Sequence, residues 1–323
     1  MTKVHSATRV TIAANARLHL GFLDLNGGLG RKFGSIGLCL DQPGTVLSLK
    51  KSRDGGNRAD GIEPERALRH LEAMTKALGL RGGFHLDIAK TIPAHIGLGS
   101  GTQLALAIGA AVRKLSGLPL DTRADALLLQ RGARSGIGAA LFEHGGLVVD
   151  GGQGAQAGVP PVLARVAYPE NWRIILIHDK ALQGLHGANE PAAFAALPPF
   201  PATTSAEICR LVLMQALPAI AECDIAPFGA AITRIQALLG DHFAPAQGGR
   251  FTSPRVAAAL AALHQAGAAG VGQSSWGPTG FAFAESQQQA QDLAARAFPD
   301  MTMQICRGCN ASASITQQQE PDA

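Results

Sequence analysis

The chain has 323 residues, of which 46% are hydrophobic and 16% are charged, and its formal net charge is +4. This composition excludes a disordered chain and is typical of a globular protein long enough for two domains. The small charge, without a strong Lys/Arg cluster, argues against nucleic-acid binding and suits small anionic substrates. No run approaches the roughly 18 apolar residues of a membrane span. Residues 1–6 lack the apolar core of a secretory signal, and the five cysteines are an odd number, so we expect a cytoplasmic protein.

Strand and helix patterns alternate in the first half of the chain. They predict strands at 9–14, 44–49 and 83–89 and a helix at 63–78. A glycine-rich segment then leads into a second helix, with Leu104, Ile108, Ala111 and Leu115 on one apolar stripe. Asp121, a typical N-cap residue, predicts the start of a third helix.

A stretch rich in Gly, Pro and Ala, residues 151–169, predicts the boundary between two domains. We assign residues 1–165 to the first domain, 166–315 to the second and 316–323 to a frayed polar tail. In the second domain the patterns predict strands at 172–178, 280–284 and 301–306, and helices at 203–217, 225–239, 254–266 and 287–297.

The glycine-rich segment reads T-I-P-A-H-I-G-L-G-S-G-T-Q from residue 91 to 103, and three of its glycines alternate. Glycine lets backbone N–H groups approach a bound anion closely. Ser100 and Thr102 stand where the helix should begin, the place where capping hydroxyls and unpaired N–H groups gather. A glycine loop before a helix N-terminus is typical of phosphate sites, so the segment predicts a phosphorylated small-molecule ligand.

A strand with alternating polar residues is the second informative segment. Asn15, Arg17 and His19 should share one face, which is either a ligand wall or the solvated face of an edge strand; we favour the wall. Downstream, residues 24–28 predict a tight turn, and the cationic stretch around Arg31 is either a lid or an exposed hairpin.

Two further glycine-rich loops lie downstream, and each alone is a weak signal. The loop at 131–138, with Arg131 and Arg134, could contact a second anion, and the other loop spans residues 272–280. Cys306 and Cys309 form a C-x-x-C pair, which could serve metal binding or redox chemistry; we favour two unreacted thiols because no second close pair completes a zinc site.

Together these segments resemble the GHMP superfamily of galactokinase, homoserine kinase, mevalonate kinase and phosphomevalonate kinase. Its polar strand, P-x-x-x-G-L-G-S-S loop and C-terminal glycine loop correspond to residues 14–21, 93–102 and 272–280. The resemblance implies an α+β, two-domain fold. The N-terminal domain would hold a mixed sheet with helices and a left-handed, ribosomal-protein-like βαβ unit, and the C-terminal domain a ferredoxin-like α/β sandwich. Several family kinases carry P-S-G-x-D with a catalytic Asp, whereas this chain has Gly138 there, which argues against phosphoryl transfer.

One branch of the superfamily is more similar still: the β-ribofuranosylaminobenzene 5′-phosphate synthases. The shared runs are N-A-R-L-H-x-G, G-L-G-S-G-T-Q, R-S-G-I-G, F-E-H-G-G at 142–146 and V-D-G-G at 149–152. The resemblance implies that 5-phosphoribosyl 1-pyrophosphate condenses with 4-aminobenzoate or 4-hydroxybenzoate, releasing CO₂ and pyrophosphate. The product would be a C-riboside in tetrahydromethanopterin biosynthesis. A homodimer and Mg²⁺ are expected, without ATP, and the choice between the two arenes stays open.

The resemblance also suggests roles for particular residues. Pyrophosphate would bind residues 97–103 with Mg²⁺, for which Asp24, Glu143 and Asp150 are candidate ligands without an assignment. Arg17 or Arg31 could orient the benzoate. His144 and His186 are further candidates for proton transfer, and Phe33 and Trp276 could stack on the ring or simply pack. The expected catalytic residues are Arg17, His19, Asp24 and Glu143. The expected substrate-binding residues are Asn15, Arg31, Gly97, Gly99, Ser100, Gly101, Thr102, Gln103, Arg134, Ser135, Gly136, Ser274, Ser275 and Trp276.

Two alternatives remain open at this point. One is an ATP-dependent GHMP-type small-molecule kinase with an unusual catalytic group. The other is a non-catalytic module that binds a small ligand on the same fold.

Overall fold

The structure, a computed structural model, describes residues 7–156, 158–179, 197–296, 298 and 301–320. The first part of the chain forms β1 (Ala7–Asp24), β2 (Phe33–Lys51), β3 (Arg58–Gly61), α1 (Pro64–Ala77), β4 (Phe84–Lys90), α2 (Ser100–Leu115), α3 (Thr122–Leu128), α4 (Ile137–His144), β5 (Leu147–Asp150) and β6 (Val162–Val166). The rest forms β7 (Arg173–Asp179), α5 (Ala202–Leu211), a π-helical turn (Val212–Ala216), α6 (Leu217–Ala221), α7 (Ile225–Gln247), α8 (Pro254–Gln265), β8 (Gly270–Gln273), β9 (Thr279–Ala284), α9 (Gln287–Ala294), β10 (Met301–Cys306) and β11 (Ser314–Glu320).

The first sheet is mixed and has the strand order β11-β1-β2-β4-β3, with β5 pairing with both β2 and β6. β3 and β4 run parallel and are connected through α1, so they form a βαβ unit. The helices cover the sheet through their apolar stripes: Leu71 of α1 and Leu104 and Ile108 of α2 share one buried cluster with Ile12 and Leu47. This packing fixes the start of α2 over β1. The predicted phosphate loop, residues 91–99, lies directly before this start.

The second sheet is antiparallel, with the order β10-β7-β9-β8, and has helices on both faces. Phe228 of α7 belongs to the buried cluster of Phe281 and Phe283. On the other face, Leu260 of α8 and Leu293 of α9 share a cluster with strand β7. The predicted α+β fold with a mixed sheet and a C-terminal sandwich is confirmed.

Several predicted boundaries are wrong. The tail from Thr316 was expected to fray, but residues 314–320 form β11, which pairs with β1 and sets Ile315 opposite Ile12. Its other side chains are mostly polar because it is an edge strand with an exposed face, so its composition resembles that of a loop. The helix predicted at 203–217 continues through the π turn to Ala221, and the helix predicted at 225–239 extends to Gln247.

The helical run Ala202–Ala221 has a mean hydropathy of 1.2 and, among the described residues, is long and apolar enough to cross a membrane by length and composition. A core helix can pass the same test, so this is weak evidence for a membrane span. The expectation that the chain does not associate with a membrane stays a prediction.

Candidate functional site

The phosphate loop ends where the sequence predicts, since α2 begins at Ser100. The N-cap is Gly99 in the left-handed conformation, and no side chain caps the helix. The N–H groups of Thr102 and Gln103 both donate to the Gly99 carbonyl oxygen at 3.1 Å. Because an α-helix leaves its first four N–H groups without intrahelical acceptors, the N–H groups of Ser100 and Gly101 stand at the open end of α2.

Three guanidinium groups lie against this loop. A Cβ placed on Gly99 would lie 3.1 Å from Arg17 Nε, and Arg17 Nη1 donates to the Gly97 carbonyl oxygen at 2.8 Å. A Cβ placed on Gly101 would lie 2.6 Å from Arg66 Nη2 and 3.4 Å from Arg131 Nη1. Cationic side chains therefore approach the backbone at these two glycines from β1, from α1 and from the connection between α3 and α4.

Sequence analysis did not predict a role for Arg66 in the site. Arg66 stands three residues after Glu63 at the start of an amphipathic helix, and this spacing is typical of a solvent-exposed ion pair. Arg66 does bind Glu63, at 2.9 Å. Burial, and next Arg66, lower the pKa of Arg131, whose Nε atom is buried without a hydrogen-bond partner among the described residues. Both arginines line a cavity of about 600 Å³ together with Ala94 and His95.

The three polar residues of β1 contact three different parts of the molecule. The Asn15 amide donates to Cys309 Sγ at 3.1 Å, Arg17 contacts the phosphate loop, and His19 lines a separate cavity. Two register irregularities, between Asn15 and Arg17 and between His19 and Gly21, interrupt the regular pairing of β1 with β2. The alternative of a solvated edge face does not apply. β11 pairs with β1 only as far as Ala13, but beyond it the Arg17 N–H donates to the Leu98 carbonyl oxygen and the His19 carbonyl oxygen accepts from the Ser275 N–H, so loops cover this edge.

His19 is 5% exposed, and its ring lies edge-on to Phe22 with 4.6 Å between centroids. Burial, with Arg17 and Arg134 adding to it, lowers the pKa of His19 to about 3, so the imidazole is neutral at pH 7. Its Nε2 atom is buried without a hydrogen-bond partner among the described residues. The adjoining cavity, also lined by Ser275 and Trp276, has a volume of only about 30 Å³, close to that of one water molecule.

A larger apolar cavity lies behind the phosphate loop. It measures about 160 Å³ and is lined by Pro93, Ile96 and Leu98 of the loop segment and by His178 and Thr279 of the second sheet. His178 Nδ1 and Thr279 Oγ1 are buried without hydrogen-bond partners among the described residues. An apolar cavity of about 150 Å³ can hold benzene, so this one is large enough for a six-membered aromatic ring.

The loop at 131–138 does not offer the donors that the sequence suggested. The Gly136 N–H donates to Asp150 Oδ2 at 2.9 Å and Ser135 Oγ donates to the same atom at 3.3 Å. Asp150 is fully buried, and burial raises the pKa of its carboxyl group. The expectation that Ser135 and Gly136 bind substrate conflicts with this geometry, because an internal carboxylate already accepts their hydrogen bonds.

Gln103 and Ser274 also turn inward. Gln103 is 1% exposed and donates through Nε2 to the Gly138 carbonyl oxygen at 3.0 Å. Ser274 is fully buried; its hydroxyl donates to the Gly97 carbonyl oxygen at 2.8 Å and accepts from the His19 N–H at 3.0 Å. Gln103 therefore joins α2 to α4, and Ser274 joins the phosphate loop to β1. These internal contacts do not match their expected role as ligand contacts.

The candidate metal ligands lie in different places. Asp24 Oδ1 accepts hydrogen bonds from the Asn26 N–H at 2.7 Å and Ser205 Oγ at 2.8 Å, while Asp150 is engaged as described above. Glu143 lies at the end of α4, 3.6 Å from His144. No group of three His, Cys, Asp or Glu side chains that could hold a metal occurs in the described part of the chain. The three candidate carboxylates therefore do not come together in one group in the described part of the chain.

The remaining predicted residues have structural contacts. Arg31 donates to the carbonyl oxygens of Gly151 and Gly152, each at 2.7 Å. The neighbouring Cys39 thiol lowers the pKa of the Cys309 thiol to about 6. His186 lies outside the described residues.

The position of the kinase carboxylate has no room for a side chain. A Cβ placed on Gly138 would lie 2.8 Å from Thr102 Cγ2. Thr102 belongs to the first turn of α2, and its β-branched side chain has little freedom to move aside. The close packing of α2 against α4 therefore leaves no space for the kinase carboxylate at Gly138.

The fold and this loop define a member of the GHMP superfamily. Residues 65–146 match the family described as GHMP kinases N terminal domain, and residues 216–300 match GHMP kinases C terminal. The fold is similar to that of homoserine kinase from Cytophaga hutchinsonii, with a TM-score of 0.70 and 18% identity over 98% of this chain and 99% of that chain.

Two curated relatives show to which branch of the GHMP superfamily the chain belongs. A β-ribofuranosylphenol 5′-phosphate synthase from Archaeoglobus fulgidus is 39% identical over 69% of this chain and 74% of its own length. The protein of the same name from Methanocaldococcus jannaschii is 33% identical over 87% of this chain and 92% of its own length. The chain belongs to the β-ribofuranosylphenol 5′-phosphate synthase family.

Proposed function

We propose that this protein condenses 5-phosphoribosyl 1-pyrophosphate with 4-hydroxybenzoate or 4-aminobenzoate and releases CO₂ and pyrophosphate. The observation that carries the proposal is a cationic phosphate loop without room for the kinase carboxylate at Gly138. The names of the relatives support a ribosyl–arene product. The enzyme is then a decarboxylating pentosyltransferase.

The electron flow balances without an external oxidant or reductant. The bond between ribosyl C1 and the diphosphate oxygen breaks, and its electron pair leaves with pyrophosphate. The ring carbon that bears the carboxylate bonds to C1, and the breaking carbon–carboxylate bond returns its pair to the ring as CO₂ departs. Charge grows on the diphosphate during this step, so Arg17 and the N–H groups of Ser100 and Gly101 stabilise the transition state more than the ground state.

We place the acceptor ring in the 160 Å³ cavity behind the phosphate loop, and the size of this cavity supports the placement. Thr279 Oγ1 and His178 Nδ1 could pair with its para hydroxyl or amino group, since both atoms lack partners among the described residues. Apolar walls also disfavour a charged carboxylate relative to neutral CO₂, which would promote decarboxylation. The 30 Å³ cavity beside His19 would have to open before it could take a ring.

Mg²⁺ is proposed to enter as the counter-ion of the donor diphosphate, because the described residues do not assemble a metal site of their own. We further propose a cytoplasmic homodimer that binds no nucleic acid and no membrane. Light scattering of the purified full-length chain tests the oligomeric state.

The test offers the enzyme both chemistries in parallel. The donor is incubated with each arene and Mg²⁺, and ATP is incubated with a panel of small alcohols. Mass spectrometry and NMR should detect an arene joined to ribose 5-phosphate through carbon, and no phosphorylated alcohol. A phosphorylated alcohol without the C-riboside would favour a kinase, and no product from either set would favour the binding module.

A further inference from the structure

Arg66 and Arg131 meet at Gly101, in the first turn of α2, although they come from separate parts of the chain. Arg66 belongs to α1, whereas Arg131 lies in the connection between α3 and α4. Both guanidinium groups approach Gly101 so closely that a Cβ there would lie 2.6 Å from one and 3.4 Å from the other. Bringing two cations together is unfavourable unless an anion lies between or beside them.

The protein supplies only part of that negative charge. Glu63 binds Arg66 at 2.9 Å and Glu65 also lines the cavity, whereas Arg131 has no ion pair within the described ranges. The buried Nε of Arg131 also lacks an acceptor there. An ion pair between Arg66 and Glu63 alone would not require Arg131 beside it, so the convergence is not explained by the stability of α1.

We propose that Arg66 and Arg131 bind the diphosphate of the ribosyl donor together with Arg17. The diphosphate would then lie at Ser100 and Gly101, where the three guanidinium groups approach the start of α2. Guanidinium forks suit phosphate oxygens because their N–H groups match two acceptors at once. The identity of the donor rests on the proposed function, whereas the diphosphate site rests on these residues alone.

The experiment measures binding of inorganic pyrophosphate by calorimetry and the KM for the donor in the full-length protein. Arg131→Gln should weaken pyrophosphate binding about tenfold or more, because it removes a charged hydrogen-bonding group. Arg81→Gln is the matched control, since Arg81 is an exposed arginine that does not line this cavity. This control should stay within twofold of the wild type, and the KM for the arene should not change in either variant.

Wild-type pyrophosphate affinity in Arg131→Gln, with an unchanged KM for the donor, would overturn the inference. Arg131→Lys keeps the charge but loses the fork, so it should bind with intermediate affinity. Arg131→Lys also provides a second test in case Arg131→Gln does not fold, which thermal melting would reveal. Pyrophosphate binding needs no turnover. A protein that binds pyrophosphate through Arg131 yet forms no C-riboside would therefore contradict the proposed function and leave this inference standing.

Discussion

Replacing Gly99 by alanine should separate backbone strain from the positioning of Arg17. Gly99 has a φ of 81°, and a Cβ there would lie 3.0 to 3.3 Å from three atoms of Arg17. The left-handed conformation costs an L-residue about 1–2 kcal/mol. At these distances the Arg17 side chain would have to shift by a few tenths of an ångström, which would weaken its hydrogen bond to the Gly97 carbonyl oxygen. A hydrogen bond to a charged group contributes about 1.5–3 kcal/mol.

Gly79→Ala is the matched control for that strain. Gly79 has a φ of 62°, and nothing lies within 4 Å of the position of its Cβ. Both variants should lower the melting temperature by a few degrees, as expected for about 1–2 kcal/mol. Only Gly99→Ala should raise the KM for the donor, by roughly tenfold or more. Equal KM values for the two variants in steady-state kinetics would refute the placement of Arg17 beside the donor.

Three further predictions concern other parts of the site. Below pH 6.5 the unfolded chain binds a proton at His19 that the folded protein, with a pKa of about 3, does not. Folding stability should therefore decrease as the pH is lowered from 6.5 towards 3, by up to about 1.4 kcal/mol per pH unit. Chemical denaturation from pH 6.5 to 5 should show a shallower fall in His19→Gln, and equal slopes would count against the burial of a neutral ring. Gly138→Asp should lower the melting temperature and restore no ATP-dependent phosphorylation, because Thr102 fills the space; a stable, active kinase would contradict this. Thr279→Val should leave stability unchanged or higher, since it removes an unpaired buried hydroxyl, yet raise the KM for the arene about three- to tenfold; an unchanged KM would place the ring elsewhere.

Local patterns in the sequence were sufficient to predict the phosphate loop and most helices. The start of α2 at Ser100 follows from glycines next to a helical apolar stripe, and β10 has the predicted bounds. These features depend on neighbouring residues, so a single sequence contains the signal.

Contacts between distant segments could not be predicted in the same way. Arg66 is 35 residues from Gly101 in the chain and reaches it only because α1 packs beside α2. The engagement of Gly136 by Asp150 likewise depends on how β5 enters the sheet. A glycine-rich loop looks the same in the sequence whether its N–H groups bind a ligand or an internal carboxylate.

Carboxyl-labelled 4-hydroxybenzoate and 4-aminobenzoate provide the most direct test of the central claim. Each is incubated with the enzyme, Mg²⁺ and 5-phosphoribosyl 1-pyrophosphate, and labelled CO₂ is measured alongside pyrophosphate. The account predicts equal amounts of the two products with at least one arene, and neither product when the donor or the arene is omitted. Pyrophosphate released without labelled CO₂, or no labelled CO₂ with either arene, would contradict it.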